Sequence, residues 1–130
     1  LVRWVLWSKH RAVVSHDSAA VVHNLGLLNP AKVHLTVPPG FRMSDPVVVL
    51  HRRLLPNADV MLLDGVVVTT VVRTVLDVID THFDEELVAS VVDDALDTGA
   101  MSALQLDRRF GEFGDAARAR AERVLARASQ

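Results

Sequence analysis

The sequence predicts an α+β domain, with a small, mostly antiparallel sheet of about four strands, helices before it and a run of three to four helices after it. Three observations predict this. Apolar or alternating runs separated by turn residues lie at 32–37, 47–50, 60–63 and 66–68. From Thr70 onward the apolar period changes from two to the helical spacing. With 130 residues, half of them hydrophobic, residues 1–130 are one domain that can build its own core.

Taken in order, residues 1–11 read as a helix with Trp4 and Trp7 on one side, packed on this domain. Ser15 is the N-cap of a short helix, Asp17 suits its first turn, Gly26 is its stop, and Val22 and Leu25 face inward. Strand 32–37 alternates, with Val33, Leu35 and Val37 on one face and Lys32, His34 and Thr36 on the other. Pro38-Pro39-Gly40 ends it and opens a polar loop through Pro46. The run 47–50 is apolar on both faces and reads as a central strand. Asp64-Gly65 between two apolar runs predicts a tight hairpin.

Thr69 or Thr70 caps the next helix, whose stripe is Val72, Val75, Leu76, Ile79 and Phe83. Arg73 stands in its first turn, where the helix dipole disfavours a cation, and its order with Asp77 is the weaker one for an i,i+4 pair. A residue placed against local preference answers to something outside the helix, so Arg73 reads as a tertiary anchor, with Asp77 and Thr70 beside it. A further helix buries Val88, Val91, Val92 and Ala95, turns Asp93, Asp94 and Asp97 outward, and stops at Gly99. Ser102 to Gln105 is a capping box with Met101 and Leu106 as its staple. The last helix begins near Asp115, with Ala117, Ala121, Val124, Leu125 and Ala128 inward and Arg120, Arg123 and Arg127 on a solvated face.

The net charge of −2 hides a segregation: residues 1–56 sum to +5, 57–99 to −9, and 100–130 to +2. A basic first third can face nucleic acid, and an acidic middle can face a basic partner. Lys32, Arg42, Arg52 and Arg53 are the candidate basic patch; without interleaved aromatics they offer weak phosphate contact at most. Asp93, Asp94 and Asp97 are the candidate partner face. No phosphate loop, nucleophile elbow or HExxH is present, and the acids lack EF-hand spacing. Ser15-His16-Asp17 is contiguous, whereas triads are assembled from separated positions. The expectation is a protein that is not an enzyme and carries no catalytic residue, metal or cofactor. The first seven residues are too short and too soon charged to span a bilayer. The absence of cysteine fits a reducing, cytoplasmic setting.

Four pieces of the chain carry a resemblance. A strand ending in Thr69-Thr70, followed by Arg73-Thr74, Val75-Leu76 and Asp77, resembles the core signature of the AbiEi-type antitoxin family, DNA-binding regulators of bacterial type IV toxin–antitoxin systems. Ser15-His16-Asp17-Ser18-Ala19-Ala20 with Leu25-Gly26-Leu27 resembles the family's Ser-His-x-Ser-Ala-Ala helix. Val33-His34-Leu35-Thr36-Val37-Pro38 resembles its first long strand, and Val49-Leu50-His51-Arg52 with Asp64-Gly65 the next strand and turn. The match covers about residues 12–110. It implies the C-terminal domain of a non-enzymatic antitoxin and transcriptional repressor, with a nucleotidyltransferase-type toxin as cognate partner. In the family a winged helix precedes this region and is the main reader of operator DNA; it is expected to be missing from this chain. The alternatives are an accessory domain of a nuclease-like protein and a generic protein-interaction module of a bacterial regulator.

Overall fold

In the computed structural model, which describes residues 1–128, five strands form one mixed sheet and six helices pack around it. Helix α1 (Val2–Trp7) precedes strand β1 (Val13–Val14) and helix α2 (His16–Val22). Strands β2 (Val33–Val37), β3 (Val48–Arg52), β4 (Val60–Leu63) and β5 (Val66–Thr69) follow. Helices α3 (Val71–Thr81), α4 (Glu85–Asp97), α5 (Ala103–Asp107) and α6 (Asp115–Ala128) complete the chain, with short 3-10 turns at Asn57–Asp59 and Phe110–Glu112. No helix is long and apolar enough to cross a membrane among the described residues.

The sheet corrects the expected count and direction. Its order is β3-β2-β1-β5-β4. β1 lies antiparallel to β2 and parallel to β5, β2 lies parallel to β3, and only β4–β5 is a hairpin. Two residues of β1 are too few to show any alternation. The loop after Pro38 is long enough to carry the chain back along β2 and start β3 in the same direction. β3 is an edge strand, not the central one that its apolarity suggests. Periodicity reports whether the two faces of a strand are covered; it is silent about the two sides that form hydrogen bonds.

Val14, Leu35 and Val68 share one face through their registered pairs and join Trp4, Val5, Val37 and Phe41 in one core cluster. Trp4 meets Trp7 edge-on, and Trp7 meets Phe41, so both tryptophans pack on this domain. The first helix stops at Trp7, short of residue 11, because Lys9 and His10 take left-handed backbone angles and turn the chain. A second core, among α2, α3, α4, α5 and α6, holds Ile79, Val88, Val91, Val92, Leu106 and Val124.

Thr70 accepts the Arg73 N–H and caps α3. Asp64 and Gly65 both take positive φ, as the hairpin turn requires. The Ser102–Gln105 capping box is formed, and its flanking Met101 and Leu106 are buried. Ser15 makes no capping bond, because its hydroxyl is committed elsewhere. Helix α2 ends at Val22 with Asn24 in the left-handed region; Gly26 is not its stop. Gly26 instead passes close to α4: at φ +68°, a Cβ there would lie 2.7 Å from Val91 Cγ2 and 2.7 Å from Ser90 Oγ. Phe83 is 82% exposed, beyond the end of α3, and does not extend its stripe.

Arg120 overturns the solvated face expected of α6. It is 5% exposed, donates to the Ile79 carbonyl at 2.8 and 3.2 Å, and lies over the Phe83 ring. It thereby satisfies carbonyls left open at the end of α3. Arg123 pairs with Glu85 and Arg127 with Glu86 at the surface. The inward position expected of the Ala128 side chain lies outside the described residues.

Gly26→Ala is expected to destabilise the domain by about 2 kcal/mol or more, since both the backbone angle and the space forbid a side chain. Urea unfolding of the variant measures this; a loss under about 0.5 kcal/mol would contradict the close approach.

Candidate functional site

The face of the sheet opposite the tryptophans is polar where α2 and α3 meet it. Period-two alternation puts Thr36 and His34 of β2 and His51 of β3 on this face. Thr36 donates to Ser15 Oγ at 2.7 Å, and Ser15 Oγ lies 2.7 Å from His16 Nδ1. Ser15 Oγ thus bonds both Thr36 and His16 Nδ1, having one proton to donate and two lone pairs to accept. The His51 ring stacks on His16 at 3.5 Å, and His34 Nδ1 lies 3.0 Å from His51 Nε2. His82, just past α3, reaches Asp17 at 2.7 Å. His16 holds its place at φ +53°, an uncommon angle for a side-chain-bearing residue.

The network continues into α3. Arg73 is 5% exposed and donates from Nε and Nη2 to Asp77 Oδ1 at 3.0 and 2.8 Å. Its Nη1 lies 3.4 Å from Glu112 and 3.6 Å from Asp59. Asp59, also buried, takes a two-pronged pair from Arg109 at 2.8 and 2.7 Å. Asp77 Oδ2 is buried without a hydrogen-bond partner, 3.9 Å from His16 Nδ1.

Burial among the neighbouring rings lowers the His16 pKa from 6.5 to about 2, with the nearby His51, His34, Arg73 and Arg53 charges acting in the same direction. Burial and His34 lower His51 to about 4. His34 is lowered by burial, against the opposing pull of Asp17. Burial raises the Asp77 carboxyl, while Arg73 bonding opposes that rise. His16, His34 and His51 are neutral imidazoles beside a braced carboxylate. Among the described residues no group of three or more His, Cys, Asp or Glu is arranged to hold a metal ion.

The structure divides the candidate patch of Lys32, Arg42, Arg52 and Arg53. β2 and β3 are parallel, so Lys32 stands before one end of the pair and Arg52 and Arg53 at the other, roughly 16 Å apart. Arg52 donates to the Phe41 carbonyl, next to Arg42, and Arg11 lies over the Phe41 ring. Arg53 is half exposed and lies 3.6 Å from Asp77. Asp93 and Asp97 are exposed on α4, whereas Asp94 is half-buried and accepts the Gly26 N–H at 2.7 Å. Sequence reasoning missed Asp17, His34, His51, His82, Asp59 and Arg109. Alternation could have placed His34 and His51 on one face only with the β2–β3 register in hand. Asp59 and Arg109 are fifty positions apart and carry no local signal.

No protein-family model matches the chain, and no curated protein matches it. The chain is similar in structure to the RV2827C protein from Mycobacterium tuberculosis, known from a crystal structure. The TM-score is 0.68 at 16% identity, over 98% of this chain and 52% of that one. The likeness shows a shared fold, and this chain spans about half the length of that protein.

Arg73→Ala leaves Asp77 and part of the Asp59–Glu112 charge without a buried partner, and is expected to cost about 3–5 kcal/mol. Unchanged thermal melting would contradict the anchor.

Acid is expected to act through His16 and His51. Both bind protons less readily folded than unfolded, so their stability contribution is full above pH 6.5 and falls as pH drops toward 4. Unfolding free energy should drop by about 2 kcal/mol or more between pH 7 and pH 5. His16→Asn, which tolerates positive φ, should flatten that slope; an identical slope in the variant would contradict the neutral ring stack.

Proposed function

We propose that this chain is a non-catalytic regulatory domain of the AbiEi antitoxin type. It works in the cytoplasm, counters a nucleotidyltransferase toxin, and supports operator binding whose sequence reading belongs to a winged helix. One observation carries the reading. Residues that resemble the family's motifs, Ser15 and His16 in one segment and Arg73 and Asp77 in another, meet in a single buried network. Residues so engaged brace a scaffold; they are not free to react. The outer surface is left to recognition, with arginines at one end of the sheet and Asp93 and Asp97 on α4. Arg42, Arg52 and Arg53 supply phosphate contact of weak, salt-sensitive character.

Co-expression with the product of the adjacent gene tests this. A toxic neighbour should be neutralised by the folded chain, restoring growth, and Asp93→Lys with Asp97→Lys should reduce the rescue without lowering melting. A toxic neighbour with no rescue by the folded chain would contradict the antitoxin reading.

A second reading, the accessory domain of a nuclease-like protein, is favoured by one observation: the half-buried His82–Asp17 pair beside His34 has the form of a general base and its orienting carboxylate. Phosphodiester hydrolysis lost in His82→Ala would support it.

A further inference from the structure

We propose that the cleft between Arg11 and Arg53 is an anion site that takes a phosphate or pyrophosphate group. The cleft has a volume of about 290 Å³. Its lining includes Arg11 before β1, Thr36 and Pro38 at the end of β2, Arg53 and Leu54 after β3, and Asn57 before β4. A single water occupies roughly 30 Å³, so the space admits a phosphate with part of whatever carries it.

Arg11 is held from behind. Its guanidinium lies 4.8 Å from the centre of the Phe41 ring, and its Nε donates to the Ser8 carbonyl at 3.4 Å. Among the described residues its terminal nitrogens have no protein acceptor. Arg53 lines the cleft and also borders the small pocket of Asp80 and Glu112. Its approach of 3.6 Å to Asp77 is longer than a hydrogen bond, and Asp77 already takes two bonds from Arg73. Asp59 and Asp77 do not line the cleft; they are buried and bound by Arg109 and Arg73.

Arg11 and Arg53 therefore line one cleft whose lining holds no carboxylate. Val37, Pro38, Leu54 and Leu55 supply its apolar lining. Three or more oxygens and up to two charges suit phosphate to a pair of guanidiniums better than a single carboxylate does. The site gives the phosphate contact of Arg53 a built pocket and a second arginine, and it stands whether or not the domain neutralises a toxin.

The test is titration of the isotope-labelled chain, followed by amide NMR, with pyrophosphate, with a deoxynucleoside monophosphate, and with a short DNA duplex. Saturable shifts are expected at Thr36, Leu54 and Asn57. Arg11→Gln and Arg53→Gln should each weaken binding about tenfold, with Arg11→Gln keeping a cooperative melting transition. For the duplex, each should lower the slope of log affinity against log salt by about 1. Binding of pyrophosphate or the mononucleotide as tight as that of DNA identifies a free phosphate as the ligand; binding of the duplex alone identifies the nucleic-acid backbone. Absence of saturable shifts with all three probes at millimolar concentration, or unchanged affinity in Arg11→Gln or in Arg53→Gln, overturns the site.

Discussion

The Arg73 guanidinium, buried against Asp77 and within reach of Asp59 and Glu112, is the interaction on which the rest of the structure depends. It joins α3 to the turn before β4 and to the turn after α5. Arg109 reinforces the same junction by pairing with Asp59 and Glu112. A buried ion cluster gains little net stability over well-packed apolar groups, because each charge loses its water. Its value lies in specificity, since any arrangement that separates the partners strands a charge. That explains an arginine in the first turn of a helix, against the dipole and in the weaker order with Asp77.

The same carboxylate links the ion cluster to the imidazoles. Asp77 presents one oxygen to Arg73 and the other toward His16, whose Nδ1 is occupied by Ser15. Through His16 the network reaches His51, His34 and Thr36, and thus the strands β2 and β3. The sheet and α3 are consequently held by polar contacts on one face and by Trp4, Val5 and Phe41 on the other. Outside this engaged interior lie Arg11 and Arg52 near Phe41 and the exposed Asp93 and Asp97 on α4.

Much of the local structure was legible in the sequence, because its causes are local. The Asp64-Gly65 hairpin, the Thr70 cap, the Ser102–Gln105 box and the buried stripe of α4 each depend on residues a few positions apart. Strand order was not legible: a two-residue β1 has no periodicity, and β3 is apolar on both faces although it lies at an edge. Arg120 shows the same limit, since its polar helix face finds the carbonyl of Ile79 forty-one positions away. The position of Arg73 was readable as an anomaly, but its partners Asp59 and Glu112 were not. The histidines became a cluster only once β2 and β3 were paired in register.

The central claim is that Arg73 and Asp77 act as one unit. A double-mutant cycle with Arg73→Met and Asp77→Leu, read by urea unfolding, tests it most directly. Each single variant should be strongly destabilised, and the double variant should be less destabilised than the sum by about 2 kcal/mol or more, because neither charge is then left alone. Additive losses would contradict the account and leave Arg73 and Asp77 as independent residues.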